Sequence, residues 1–401
     1  MSDVFFYVQN LLGIGHVSRA AVLAKAMTKA GLTVDFVLGG FPIPGLDAGE
    51  AHLVQLPPVR SADELFSTLV DHNGAAIDDA WRVHRRDQLL SAFSIANPDI
   101  VLIELFPFGR RAFRFELEPL LRAAHGRLHR PEILCSVRDI LVEKSKPGRA
   151  DEAAAIIESF FDRVLVHGDP AVAPFSASFS AADRIAEKIS YTGYVVVDHS
   201  SGMPSRPSSG EVLVSAGGGA VGRPLIEAAL AARPLSSARA LPWRIVLGPQ
   251  YPEREAAKLL ANSPAGVSVE AFRPDLAAEF PGCALSISQA GYNTVLELIA
   301  AGTRAIVVPF STGSESEQAE RARRLADRGL LTVIEEKTLT APVLAAAIDH
   351  ALASPKPIPG GGLRLDGASQ TAAFLVEAVA RRRASRHDGC PRRPMLRQES
   401  A

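Results

Sequence analysis

Short apolar runs alternate with helical patterns along almost the whole chain, and nothing else in the sequence constrains its fold as strongly. The runs are VFFYVQN, TVDFVLGG, AHLVQLP, PDIVLIELFPF, EILCSVRDI and DRVLVHGDP, followed further on by EVLVSAGGGA, WRIVLGPQ, VSVEAF, CALSISQAG and TRAIVVPF. Short runs of this kind alternating with helical patterns are the signature of βαβ units and a parallel sheet. Between the first two runs, Val17, Ala20, Ala21, Leu23, Ala24 and Met27 recur at helical spacing, and Gly31 ends the pattern. Repetition of this unit predicts an α/β protein built from βαβ crossovers.

A chain of 401 residues exceeds what one hydrophobic core usually supports, roughly 250 to 300 residues. The division falls at residues 197–210, where Ser, Pro and Gly gather without periodicity. Two doubly wound, Rossmann-like domains are therefore expected, over 1–196 and 211–380. The last segment, 381–401, carries seven arginines against one aspartate and one glutamate and reads as a disordered basic tail. A formal net charge of -1 argues against a nucleic-acid partner. The opening residues read as a strand rather than a secretory leader, no apolar run is long enough to span a membrane, and Cys135, Cys283 and Cys390 fit no metal or disulfide spacing. The expectation is a cytoplasmic protein, peripheral on a membrane at most.

Ligands of open α/β sheets bind beyond the carboxyl ends of the strands, so the loops after strands carry the argument. GIGHVSRA lets the backbone turn at Gly13 and Gly15 and sets His16 at a helix start, where positive potential favours a neutral ring able to accept a proton; Arg19 follows one turn later. The competing reading is a capping histidine and a solvated arginine. SAGGGAVGRP offers Gly217, Gly218, Gly219 and Ala220 as a nest of amides for a diphosphate, with Arg223 nearby; it is neither a Walker loop nor a dinucleotide fingerprint. After a further strand come Ser288, Gln289, Gly291, Asn293 and Thr294, then Glu297, which stands either in capping-box spacing with Thr294 or as a carboxylate presented to a ribose diol. Glu317 and Gln318 open another helix, Glu317 in i,i+4 spacing with Arg321.

The order of Ser288, Ala290, Gly291, Thr294, Glu297, Gly302, Pro309, Phe310, Gln318, Ala322, Leu325 and Gly329 resembles the nucleotide-sugar half of GT-B glycosyltransferases, above all the peptidoglycan N-acetylglucosaminyltransferase family. The first domain, with FPFGR after a strand, is similar to bacterial glycosyltransferases of unassigned acceptor. The resemblance implies a GT-B fold, a UDP-type donor whose ribose meets Glu297, a base near Phe272, phosphates at residues 217–219 and a sugar held by Gln318 and Glu317. Glu-Gln stands where the peptidoglycan enzymes carry Gln-Gln, and the opening loop is one glycine shorter, so neither their sugar nor their lipid acceptor carries over. G-x-G-H-x-x-R also resembles nucleotide-sugar hydrolases of the pseudaminic acid pathway, which give the sugar to water.

The expected chemistry is sugar transfer to an acceptor hydroxyl without metal or other cofactor, with His16 as general base and Asp139 in reserve. Gly13, Gly15, Arg19, Glu104, Phe108 and Arg110 are expected on the acceptor side. The Phe106–Phe115 stretch, interleaved with Arg110, Arg111 and Arg114, reads either as an acceptor or lipid-facing lip or as an ordinary packed helix face. Hydrolysis, or sugar-nucleotide binding without turnover, are the alternatives.

Overall fold

Seven parallel strands form the amino-terminal sheet of this computed structural model, which describes residues 2–11, 15–62, 68–141, 148–197, 210–216, 222–248, 251–270, 273, 276–310 and 317–388. The strands are β1 (Val4–Val8), β2 (Val34–Leu38), β3 (His52–Gln55), β4 (Ile100–Glu104), β5 (Glu132–Arg138), β6 (Arg163–His167) and β7 (Ile189–Tyr191), in the order β3-β2-β1-β4-β5-β6-β7. The carboxy-terminal sheet has six: β8 (Val212–Ser215), β9 (Trp243–Val246), β10 (Val267–Glu270), β11 (Leu285–Gln289), β12 (Ala305–Val308) and β13 (Thr332–Val333), in the order β10-β9-β8-β11-β12-β13. All pairings within both sheets are parallel. The apolar runs of the inner strands are buried on both faces, and every residue of β1, β4 and β8 is buried; the edge strands β3 and β10 are partly exposed.

Helices cover both faces. Those that position the site are α1 (Gly15–Lys29), α2 (Arg114–His125), α3 (Tyr292–Ala301), α4 (Glu317–Ala326) and α5 (Gly367–Asp388). Val17, Ala20, Leu23, Ala24 and Met27 of α1 are buried in the same core as Ala372, Leu375, Ala378 and Val379 of α5. The last helix thus returns to the first lobe instead of closing the second. Arg383 Nε also donates to Asp99 Oδ2 at 3.1 Å, and the helix runs to Asp388, so the expected disordered tail is helical at least that far.

Two chain crossings join the lobes. Tyr194 N donates to Arg364 O at 2.7 Å and Gly367 N to Tyr194 O at 2.9 Å. A Cβ on Gly367 would lie 2.3 Å from Gly193 O, so only glycine permits this contact between the crossings. Most of the expected linker lies outside the described residues. No helix among the described residues is long and apolar enough to cross a membrane.

Candidate active site

Each sheet reverses its strand order beside its first strand, between β1 and β4 in one lobe and between β8 and β11 in the other. Such switch points are where open α/β sheets leave a crevice. In the first lobe β1 leads to the loop before His16 and β4 ends on Glu104. In the second, β8 leads to residues 217–221 and β11 ends on Gln289.

At the first switch point His16 and Arg19 lie one turn apart on α1 and reach the same carboxylate. His16 Nδ1 is 3.0 Å from Glu104 Oε1, and Arg19 Nη2 donates to that oxygen as well. The β4–β5 register sets Glu104 beside Ser136, whose Oγ donates to Glu104 Oε2 at 2.6 Å. That commits the Ser136 proton, so His167 Nε2–H, 2.9 Å away, is the donor to Ser136 Oγ; His167 Nδ1 then faces Thr192 Oγ1 at 2.8 Å. Glu104, Ser136 and His167 are all fully buried. Burial, followed by the guanidiniums of Arg138, Arg110 and Arg19, holds the His16 pKa well below its ordinary value. A neutral ring donating from Nδ1 to Glu104 keeps its lone pair on Nε2, the tautomer a general base needs.

That lone pair accepts from Arg138 Nη2, while Arg138 Nη1 donates to Glu317 Oε1 at 2.6 Å. His16 of one lobe is thus linked to the first turn of α4 in the other. The i,i+4 pairing of Glu317 with Arg321 does not form. Arg321 turns to Asp139, with Nη2 2.8 Å from Oδ1, and both groups are buried. Asp139 also accepts from Ile140 N at 2.8 Å. The reserve base is therefore spent on a buried ion pair between lobes, which corrects its expected role. Tyr292, at the start of α3, packs between them: its hydroxyl donates to His167 O at 3.1 Å, and Arg321, Arg19 and Arg138 lie 4.8, 5.4 and 5.8 Å from its ring centre. Ser136 and Tyr292 were not singled out from the sequence, and Arg321 was read there only as a surface partner of Glu317; a lone serine inside the apolar run EILCSVRD was the available signal.

On the donor side α3 begins at Tyr292 with Gly291 as its N-cap and no side-chain cap bond, so the capping-box reading of Thr294 and Glu297 fails. Glu297 lies half-buried in a small pocket with Asn293, Ser18, Arg19, Val22 and residues 195–197. It has no hydrogen-bond or ion-pair partner among the described residues, and burial pushes its pKa up to about 7. Among the described residues Ser288 Oγ is also buried without a partner, Gln289, Gly291, Asn293 and Thr294 are half-buried, and Gln318 Oε1 accepts from Phe310 N at 3.3 Å. Arg223 is exposed and pairs with Glu227. Gly13, Gly217, Gly218, Gly219, Ala220 and Phe272 lie outside the described residues. Gly15 is exposed at the start of α1.

The aromatic and basic stretch before α2 is used for packing rather than as a lip. Phe106 and Phe113 are fully buried, and Phe108 packs edge-on against Phe175 and Phe179, which corrects its assignment to the acceptor surface. Arg111 and Arg114 pair with Glu152. Beside them a groove of about 640 Å³ opens, lined by Leu69, Ile77, Ala112 and Phe115 among others.

Two parallel, doubly wound lobes joined by two crossings and meeting over a cleft make the GT-B fold of glycosyltransferases. MurG from Acinetobacter baumannii matches with a TM-score of 0.60 at 17% identity, over 94% of this chain and 99% of that one. CalG4, the calicheamicin glycosyltransferase, matches with a TM-score of 0.58 at 16% identity, over 97% and 98%. The family signal is in the second lobe, where residues 212–358 match the glycosyltransferase family 28 C-terminal domain. UDP-N-acetylglucosamine--N-acetylmuramyl-(pentapeptide) pyrophosphoryl-undecaprenol N-acetylglucosamine transferase of Anaeromyxobacter sp. (strain K) is 38% identical over 88 residues, 22% of this chain and 23% of that enzyme. The chain therefore spans less than a quarter of that relative's length at the level of sequence.

Proposed function

We propose that the protein is a glycosyltransferase that moves a sugar from a UDP-type donor to an acceptor hydroxyl, with His16 as the general base. The observation that carries this reading is the 3.0 Å contact of His16 Nδ1 with buried Glu104, which leaves Nε2 as the proton acceptor at the cleft, one arginine away from Glu317 of the donor lobe. Nε2 takes the acceptor proton as the hydroxyl oxygen attacks the anomeric carbon and the diphosphate departs. A positioned base of this kind contributes about 10² to 10⁴-fold. Unpartnered Glu297 is the acceptor for the ribose hydroxyls, Gln318 and Glu317 meet the sugar, and amides of residues 217–220 take the leaving charge without a metal. The two buried, unpaired cysteines, Cys135 and Cys283, support a cytoplasmic setting, and contact with the inner membrane face is confined to whatever the acceptor requires.

The comparisons favour transfer over hydrolysis. The test is time-resolved NMR of the purified protein with a panel of UDP-sugars, with and without cell-lipid extract. Turnover that needs the extract supports transfer; turnover in water alone assigns hydrolysis. His16→Ala should abolish turnover and leave uridine affinity within about twofold, since the ring touches no donor-side group directly. Full activity in that variant rejects the role.

A further inference from the structure

We propose that Arg110 and Arg138 form a subsite for an oxyanion carried by the acceptor next to its reactive hydroxyl, and that filling this subsite frees His16 to act. The proposal rests on the transferase reading above and adds the acceptor's chemical class to it.

Arg110 is the first observation. It sits on the loop between β4 and α2 with φ 60, and Leu105 on the same loop has φ 67. Non-glycine residues in the left-handed region are strained and persist where the surroundings hold them, often at ligand clamps. Arg110 Nε donates to Gln9 O at 2.6 Å at the end of β1. Its two terminal nitrogens have no hydrogen-bond or ion-pair partner among the described residues, although the side chain is half-buried; burial lowers its pKa to about 10. The nearby carboxylate, Glu104, is already shared by Arg19, His16 and Ser136.

Arg138 is the second. Its guanidinium holds the Nε2 lone pair that the acceptor hydroxyl must reach. A neutral acceptor would have to displace a cation from that lone pair and could offer the cation only uncharged oxygens in return. An acceptor bearing a phosphoryl or carboxylate group gives Arg138 and Arg110 a partner with the planar, bidentate geometry that guanidinium prefers, and the lone pair opens. The charges facing the ring are Arg19 on α1, Glu104 on β4, Arg110 after it, Arg138 on β5 and, through Arg138, Glu317 on α4. Asp139 is bound to Arg321 and does not enter the balance. Three guanidiniums thus stand against two carboxylates, and one oxyanion completes the set. Neutralising Arg138 and Arg110 also raises the proton affinity of His16, so the base strengthens when the acceptor is seated. Ala112, two residues from Arg110 in the chain, and Phe115 of α2 line the groove together with Leu69 and Ile77, and that groove offers room for the rest of the acceptor.

The test uses the full-length protein saturated with UDP and titrated by calorimetry with inorganic pyrophosphate and, separately, with succinate. One anion site should persist under saturating UDP. It should weaken about tenfold or more in Arg110→Gln and recover in part in Arg110→Lys, with UDP affinity unchanged in both, because hydrogen bonds to charged groups are among the stronger ones. Histidine ¹⁵N spectra should show the His16 signal moving along the same titration curve. The anion that binds more tightly identifies the oxyanion as phosphoryl or carboxylate. Absence of an anion site under saturating UDP would overturn the proposal and assign these arginines to the donor diphosphate. Equal anion affinity in Arg110→Gln would overturn it too. Failure of UDP itself to bind would strike the transferase reading, and the subsite with it.

Discussion

Glu297 makes the donor side testable by pH alone. Its carboxyl has no partner among the described residues, and burial pushes its pKa up to about 7. The two vicinal hydroxyls of a ribose can both donate only to the ionised form. With a pKa of about 7, roughly one carboxyl in eleven is ionised at about pH 6 and ten in eleven at about pH 8, so uridine should bind about tenfold more weakly at the lower pH. The nucleoside is the right ligand because it carries no phosphate to titrate in that range. Binding at about pH 6 should release close to one proton per uridine, counted by calorimetry in two buffers of different ionisation enthalpy. In Glu297→Gln both the pH dependence and the proton release should vanish. 2′-Deoxyuridine, with one hydroxyl fewer, should bind more weakly than uridine above pH 7. The same raised pKa means that ionisation weakens the ligand-free fold: the penalty is absent below the ordinary carboxyl value of 4.5 and complete above about 7. Glu297→Gln should therefore resist urea better than the wild type at about pH 8 and equally at about pH 4. Uridine affinity that stays flat between these two pH values, or 2′-deoxyuridine binding as well as uridine, would refute the assignment.

Two other perturbations probe the buried polar groups. Asp139→Asn leaves the Arg321 guanidinium buried without a counter-charge, and the loss should be about 3–5 kcal/mol by urea unfolding; a loss below about 1 kcal/mol would show that the pair is not held dry. Ser136→Ala removes one donor from Glu104, a loss of about 1.5–3 kcal/mol for a bond to a charged group, so turnover should fall about 10- to 100-fold. UDP affinity should stay constant in that variant, and unchanged turnover would mean that Glu104 holds the ring without it.

The sheets were legible because parallel strands covered on both faces have to be continuously apolar, and both Gly-bearing loops fell where the strand order reverses. His16 was legible for the same reason, being the titratable residue of the first such loop. Its partners were not. Glu104 lies 88 residues away, and Ser136 reaches Glu104 only through the β4–β5 register, which spacing along one strand cannot reveal. Local rules failed where a longer-range demand was stronger. The i,i+4 pair of Glu317 and Arg321 offers a few tenths of a kcal/mol at a solvated surface, whereas leaving Asp139 buried without a cation would cost several; Arg321 goes to Asp139, and Glu317 goes to Arg138. The aromatic stretch before α2 stayed open between a lip and a packed helix face because burial of Phe106 and Phe113 depends on how the loop turns at Leu105 and Arg110, two positions where non-glycine residues adopt positive φ.

The contacts between lobes divide into two kinds, and the division bears on how the site works. Asp139–Arg321 and the Tyr292 hydroxyl on His167 O are buried, and near them the two chain crossings meet backbone to backbone at Gly193 and Gly367. Separating those groups would strand a charge or a carbonyl. Arg138–Glu317 is only partly buried, and both of its members can find water or a ligand. Any opening of the cleft must therefore pivot near the first set and break the second. Arg138 holds the proton-accepting nitrogen of His16 with its other arm, so the contact that yields first on opening is the one that reaches the base. On the proposed reading of Glu317 and His16, lobe closure, contact with a donor sugar and access to the His16 lone pair form one coupled equilibrium, in which each partner that draws Arg138 away from Nε2 frees the ring.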